Sequence, residues 1–330
     1  MITDISLDDS ASFAARRQLK HAINVLEKLG FEIVDCLLLP DTHPGPEIFP
    51  DGLFIRIKGD GIIGNFAKDI ACGMAFGRVE GTIPDNTHVE DVLSPLLGGG
   101  NHFLEFQKIV RVNKAAMPWM AKWNLAEGDV VMLLHSGADD CGERLEKWVF
   151  QNCQKKEVAC ICDAYGEYLE KYQQCFEHSK EKRKHIFKAL GIKMITDTVH
   201  NQLIVEADGS ISYFMSSNET AQGELLAIPA SFGDFTAFVR PILPWRAIPH
   251  GTGRLLSRSE AKEHLTEDEL KKSDELLKTM QTSVICPSQS RRVSEDPKCY
   301  RKMETVVKKL IDEKCVELMF ATKPLKTFKV

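Results

Sequence analysis

Five side chains able to hold a metal ion are scattered along this sequence, each beside glycine or a turn. Asp69 and Cys72 lie in "KDIACGM", His102 in "LLGGGNHFLEF", His135 in "VVMLLHSGADD" and His200 in "DTVHNQLIV". Carboxylate, thiolate and imidazole together suit a borderline divalent ion such as Zn²⁺ or Mn²⁺. Five ligands exceed one tetrahedral site, which suggests two ions sharing a ligand. The Cys72 thiolate, with lone pairs to bridge, is the natural shared one. A sixth residue, His250 in "RAIPHGTGRLLSR", stands before Gly251, Gly253 and Arg254. Side chains are excluded on its flank, and the pattern alone does not say what approaches the ring. Each patch also reads as ordinary structure, a hydrogen-bonded strand-end histidine or a buried thiol. No CxxC or HExxH motif ties the patches together, so spacing leaves both readings open.

The elements that must position these residues mix strands and helices without a regular βαβ rhythm. Residues 10–29 have helical periodicity and stop at Gly30. "FEIVDCLLLP", "GLFIRIKGD", "DIACGMAFGRVEG", "NHFLEFQKIVRV", "DVVMLLHSG" and "FTAFVRPI" read as strands. "NQLIVEADGSISYFM" reads as a hairpin turning at Asp208-Gly209. Residues 140–190 are charged and helical in period, giving one long or two shorter helices. "SRSEAKEHLTEDELKKSDELLKTM" reads as one serine-capped helix, and "DPKCYRKMETVVKKLIDEKCVELM" as a final helix with Pro297 at its start. The expected class is α+β, one domain over residues 1–330, with helices around mixed, mostly antiparallel sheets.

Hydrophobic residues are 43% and charged residues 27%, the ordinary soluble globular range. There is no apolar run of about 18 residues, so no membrane span is expected. The net charge of −5 excludes a protein that coats nucleic acid, and confines any RNA contact to a few loops. "MITDISLDDSASF" is acidic and lacks the apolar core of a secretory signal, so a cytoplasmic, reducing location is expected. There the ten cysteines are thiols or metal ligands, and Cys160 and Cys162 are two buried thiols on a helix. Gly59-Asp-Gly-Ile-Ile-Gly64 matches GxGxxG, but no amphipathic helix follows to hold a pyrophosphate, so a dinucleotide site is not expected. His21, His178, His185 and His264 lie in polar helices and read as solvated, as does the basic run "KEKRKHIFK", residues 180–188. His43 in "DTHPG" reads either as a group orienting ligands or as a turn residue.

Taken in order, the patches resemble the RtcB family of RNA ligases. The matching stretches are Asp69-Ile-Ala-Cys72-Gly-Met74, Gly100-Asn101-His102-Phe103, His135-Ser136-Gly137, His200-Asn201, Pro229-Ala-Ser-Phe232 and His250-Gly-Thr-Gly-Arg254. "LLPDTHPG" is similar to the family's Pro-Asp-x-His segment, and "EDPKCYRKMETVV" and "KTFKV" to its last helix and lysine-bearing C-terminus. The resemblance runs from about residue 38 to the end. It implies a family-specific α+β fold with metals at the bottom of a central cleft. It also implies an enzyme that uses GTP and Mn²⁺, with two ions, to join RNA 2′,3′-cyclic phosphate or 3′-phosphate ends to 5′-hydroxyl ends. Asp69, Cys72, His102, His135 and His200 match the metal ligands, and His250 the histidine that becomes guanylylated. Asn101, Glu105, Ser231 and Lys329 match positions around the nucleotide. The glycines at 251 and 253 would then leave room for phosphate and ribose, and Arg254 would fork onto phosphate oxygens. The implied partner is RNA with broken ends, tRNA or another structured RNA, brought in some cases by an activating protein.

The sequence also departs from the family. Where the family continues His-Ser-Gly-Ser-Arg-Gly, this chain has "HSGADDCG", so Asp139 and Asp140 replace an arginine that should meet phosphate. A family Thr-Arg-Lys-Gly stretch is "MSSNETAQG" here, residues 215–223, and Pro-Gly-Ser-Met is Pro229-Ala-Ser-Phe232. Losing cations weakens binding of RNA ends, since phosphate contacts carry much of such affinity. The expectation is a divergent paralogue. The alternatives are a metal-dependent RNA cyclic phosphodiesterase or phosphatase that no longer ligates, and a non-catalytic RNA-binding paralogue.

Overall fold

The computed structural model describes residues 2–67, 69–163, 165–222 and 225–329. In chain order, β1 (Ile2–Asp4) leads to α1 (Ser10–Lys28). The Asp9 carboxylate caps this helix by accepting from the Ser12 amide, and Ala15, Leu19, Ala22 and Leu26 form its buried stripe. Then come β2 (Glu32–His43), β3 (Asp51–Lys58), β4 (Ile62–Ile63), β5 (Gly73–Arg78), α2 (Asn86–Leu93), β6 (Phe103–Val112), α3 (Met117–Lys122) and β7 (Val130–Ser136). The middle of the chain holds α4 (Asp140–Asn152), β8 (Gln154–Lys156), β9 (Ala159–Cys162), α5 (Tyr165–Ala189), β10 (Lys193–Val199), β11 (Gln202–Val205), β12 (Ile211–Met215) and β13 (Ser217–Glu219). The last third has β14 (Leu226–Ile228), β15 (Thr236–Pro241), β16 (Ala247–Pro249), α6 (Arg258–His264), α7 (Glu267–Met280), β17 (Ser283–Ile285), α8 (Gln289–Ser294), α9 (Met303–Asp312) and β18 (Val316–Phe328).

Two sheets form the body of this α+β fold. One has the order β1-β2-β3-β12-β11, and the larger has β10-β5-β7-β6-β18-β15-β14 with β17 on β18. Among the described residues only β1–β2 and β17–β18 are parallel pairs, so the core is antiparallel as the sequence pattern predicts. The sheets meet through Leu37, Leu39, Phe54 and Phe214 on one side and Leu226, Ile228, Ala237 and Val239 on the other. Phe76, Phe238 and Phe320 fill the larger sheet's second face, and the last two rings stack at 4.3 Å. Burying each such ring contributes roughly 1.5–3 kcal/mol. Registers in the larger sheet then set the site: Met74 and Phe103 both stand opposite His135, and Val199 opposite Gly73.

Three expectations are corrected. Cys160 and Cys162 lie on the strand β9, not on a helix, and Cys162 is joined to Cys153 by a disulfide. The other eight cysteines are thiols. The apolar Ala159–Cys162 run is too short for a helix and pairs with β8 and β4 instead. The segment 257–280 is two helices, because Thr266 forms its own capping box with Glu269 and starts α7 afresh. The final helix stops at Asp312, where Lys314 takes a positive φ of 56°. The following residues form β18, the strand at the middle of the larger sheet. At Gly59–Gly64 the chain runs from β3 into β4, and no helix starts there among the described residues.

Candidate active site

The ends of four adjacent strands, β10, β5, β7 and β6, bring four of the predicted ligands together. Cys72 immediately precedes β5, His102 precedes β6, His135 is the penultimate residue of β7, and His200 follows β10. The Cys72 Sγ lies 2.9 Å from His135 Nε2 and 3.3 Å from His102 Nε2. His135 Nε2 is 3.1 Å from His200 Nε2, and His102 Nε2 is 2.6 Å from Asp69 Oδ2. Two donor groups result, Cys72–His135–His200 and Asp69–Cys72–His102, each with its ligand atoms within 4.8 Å of one another. Cys72 belongs to both. A Cβ on Gly137 would stand 2.1 Å from Asp69 Oδ1, so the glycine after Ser136 is what admits this carboxylate.

This donor set fits a metal site. Three imidazoles, a thiol and a carboxylate converge on one space, and each has a lone pair it could give to a cation. Burial, reinforced by the neighbouring imidazoles, holds His135 and His200 well below the ordinary histidine value, so both are neutral bases. Burial, then the Asp69 charge, pushes the Cys72 thiol well up, and a bound cation is what would ionise it. Burial works against charge on Asp69 too, but the His102 ring, Lys182 and the Ala138 amide outweigh it and hold the carboxyl below its usual range.

His250 follows β16, whose Pro249 stands opposite Ser217 while the Ser217 amide donates to the His200 carbonyl. That pairing sets the His250 ring 4.5 Å from the His200 ring and 6.1 Å from that of His135. Its Nδ1 lies 3.3 Å from Oδ2 of the fully buried Asp41, a partner for His250 that the sequence reading missed. With the Nδ1 proton directed at Asp41, Nε2 keeps its lone pair. The space at Gly253 has a different occupant from the phosphate expected. Its φ is +71°, and a Cβ there would sit 2.0 Å from the Asp41 carbonyl oxygen. The glycine lets the His250 turn close on β2, and Arg301 ties that contact by donating to the same carbonyl.

The remaining predicted residues line the same cleft, of about 420 Å³: Asn101, Glu105, Ser231, Arg254 and Lys329, with His43 at its edge. Lys329 Nζ lies 3.0 Å from Glu295 Oε2 and 3.4 Å from the Asn101 carbonyl. Glu105 accepts from Thr327 and Gln107, and burial raises its carboxyl. All three nitrogens of Arg254 already donate within the protein, to Leu256, Ser294, Glu295 and Tyr300. It braces the turn after His250. His43 Nδ1 donates to the Asp41 carbonyl, and its Nε2 stands 3.5 Å from Asp51 Oδ2.

Two cations of the basic run at 180–188 are not solvated. Arg183 is fully buried and donates to the Ala71 and Ser136 carbonyls, the neighbours of Cys72 and His135, while pairing with Asp197. Lys182 is buried beside it on Asp139. His21, His178, His185 and His264 are exposed.

The family model described as tRNA-splicing ligase RtcB matches residues 90–190 and 171–330. The chain belongs to the RtcB family. A protein named RNA-splicing ligase RtcB2 from Escherichia coli is 23% identical over 322 residues, covering 83% of this chain and 82% of that protein. A tRNA-splicing ligase RtcB from Aeropyrum pernix is 23% identical over 263 residues, 64% of this chain and 54% of that one. One from Pyrococcus furiosus is 24% identical over 312 residues, and the match spans 76% of this chain but only 31% of that protein's length. Against the RtcB pattern, the departures lie on the walls of the cleft. Asp139 lines it directly, and Ser217–Glu219 is the strand beside the His250 turn, with Gly223 of that stretch outside the described residues.

Proposed function

We propose that this chain is an RNA ligase that consumes GTP and binds Mn²⁺ at the shared-cysteine site. In this reading it joins RNA 2′,3′-cyclic phosphate or 3′-phosphate ends to 5′-hydroxyl ends. The names carried by its relatives support the coarse activity. The observation that carries the finer reading is the His250 ring, 4.5 Å from a ligand ring of a donor set in which Cys72 serves two groups. Bound divalent ions would draw charge from the substrate phosphates.

The chain's own residues supply the rest. In this reading Asp41 orients the His250 ring from Nδ1, which leaves Nε2 to act as the nucleophile. Attack at the GTP α-phosphorus forms an N–P bond to Nε2 and expels pyrophosphate, and Asp41 stabilises the positive charge left on the ring. Asn101, Glu105, Ser231 and Lys329 line the space a guanylate on His250 would occupy. In this reading Lys329, which pairs with Glu295 at the cleft, would also meet a phosphate of the nucleotide. An RNA 3′-phosphate then displaces His250, and the 5′-hydroxyl displaces GMP.

The test is incubation with GTP labelled at the α-phosphate and Mn²⁺, followed by denaturing electrophoresis. The wild-type chain takes up label, and His250→Ala takes up none while still binding metal. Absence of label with every divalent ion tried would overturn the guanylylation step. Opening of a cyclic phosphate without GTP would then favour a phosphodiesterase.

A further inference from the structure

We infer that Asp139 positions His102 for metal binding, with Lys182 holding Asp139 in place. The inference rests on the metal reading above and adds to it a role for the residue in this chain that stands where the family pattern has arginine.

A histidine that gives Nε2 to a metal carries its proton on Nδ1, and a carboxylate at that proton fixes the ring and raises its basicity. His102 has carboxylates at both ring nitrogens. Asp69 Oδ2 is 2.6 Å from Nε2, and Asp139 Oδ1 is 3.5 Å from Nδ1. The His102 Nδ1 atom is buried and makes no hydrogen bond, so the Asp139 carboxylate at ion-pair distance is what faces it. The other Asp139 oxygen is paired with the Lys182 ammonium, from a side chain only 6% exposed. The loop before His102 closes over this contact, because a Cβ on Gly98 would fall 2.0 Å from Asp139 Oδ1.

The backbone points the same way. Asp139 has φ 44°, ψ −121°, outside the regions non-glycine residues prefer. It stands at the N-cap of α4, yet its side chain caps nothing. The strain is therefore not offset by helix capping. It is offset by what the carboxylate reaches: Lys182 on α5 and the proton-bearing side of His102. His200 Nδ1 is also buried without a partner, but among the described residues no carboxylate faces it in an ion pair. The two ions would therefore differ in their dependence on Asp139.

The experiment titrates Mn²⁺ into the full chain by calorimetry and follows the Mn²⁺ electron paramagnetic resonance spectrum. Asp139→Gly removes the carboxylate while accepting the positive φ, Asp139→Asn keeps an acceptor oxygen, and Asp140→Asn alters the exposed neighbour as control. The wild type is expected to bind two ions and give the spectrum of a coupled pair. In Asp139→Gly one ion weakens by about 10–100-fold while the other keeps its affinity, so the spectrum passes through an isolated ion. Asp139→Asn falls between, and Asp140→Asn matches wild type. Two ions of wild-type affinity in Asp139→Gly, or both weakened in parallel with a lowered melting temperature, would overturn the positioning role. A wild-type chain that binds no Mn²⁺ would overturn the metal reading, and this inference with it.

Discussion

At the scale of single residues, the contact on which the proposed chemistry depends is Asp41 on His250. Asp41 is fully buried, one of its oxygens has no partner, and the other lies 3.3 Å from Nδ1. A buried carboxylate needs a polar partner, and the His250 ring supplies it to this one. Asp41→Asn is expected to slow labelling of His250 by about 100-fold or more, the size of a positioned acid–base contribution, with Mn²⁺ affinity unchanged in calorimetry. Labelling at the wild-type rate would remove Asp41 from the reaction. The five donors and His250 were legible because each is a ligand-type residue beside glycine or a turn, in an order that a known family shares. Asp41 was quoted in "LLPDTHPG" and passed over, since a strand aspartate carries no local mark of its distant partner. Arg183 was hidden differently. A run of charges reads as a wet face, yet Cys175, Ser179, Lys182, Arg183, Ile186 and Phe187 form one buried stripe on α5. Counting the helical period through the charged residues would have exposed it.

At the scale of elements, the segments from α6 to the C-terminus were the least legible and are tied by charge. Glu295, at the end of α8, takes Arg254, Arg258 and Lys329 at once. Burial opposes its charge, but the three cations and the Tyr300 hydroxyl hold its carboxyl at about 2, against an ordinary 4.5. A carboxyl lowered in the folded state stabilises above its unfolded value and loses that contribution as the pH falls. The stability it supplies is thus full above pH 4.5 and fades toward pH 2. Its size is of the order of 3 kcal/mol. Glu295→Gln should be less stable than wild type in urea at pH 7, and the gap should narrow as the pH falls through that window. A gap independent of pH would show that the residue acts by packing alone. Sequence reading put a helix where β18 begins, because Val316, Met319 and Phe320 suit either period over so short a span. What decides for strand is the two-sided pairing with β6 and β15, which no local pattern reveals.

At the scale of the whole molecule, one sheet's strand ends and one turn from beyond its edge gather residues from position 43 to position 329 around one cleft. The antiparallel α+β class was legible from the absence of a βαβ rhythm. The sheet order was not, since it depends on which distant strands bury each other's faces. The net charge of −5 agrees with a protein that meets RNA at one place rather than along its surface. No helix among the described residues is long and apolar enough to cross a membrane. The central claim is that Asp69, Cys72, His102, His135 and His200 hold a pair of ions beside His250, and diffraction from crystals grown with Mn²⁺ and GTP tests it most directly. Anomalous maps should show two peaks about 3.5–4 Å apart, with the Cys72 sulfur between them and density joining His250 Nε2 to phosphorus. A single peak away from Cys72, or no peak with a bare His250, would contradict the account.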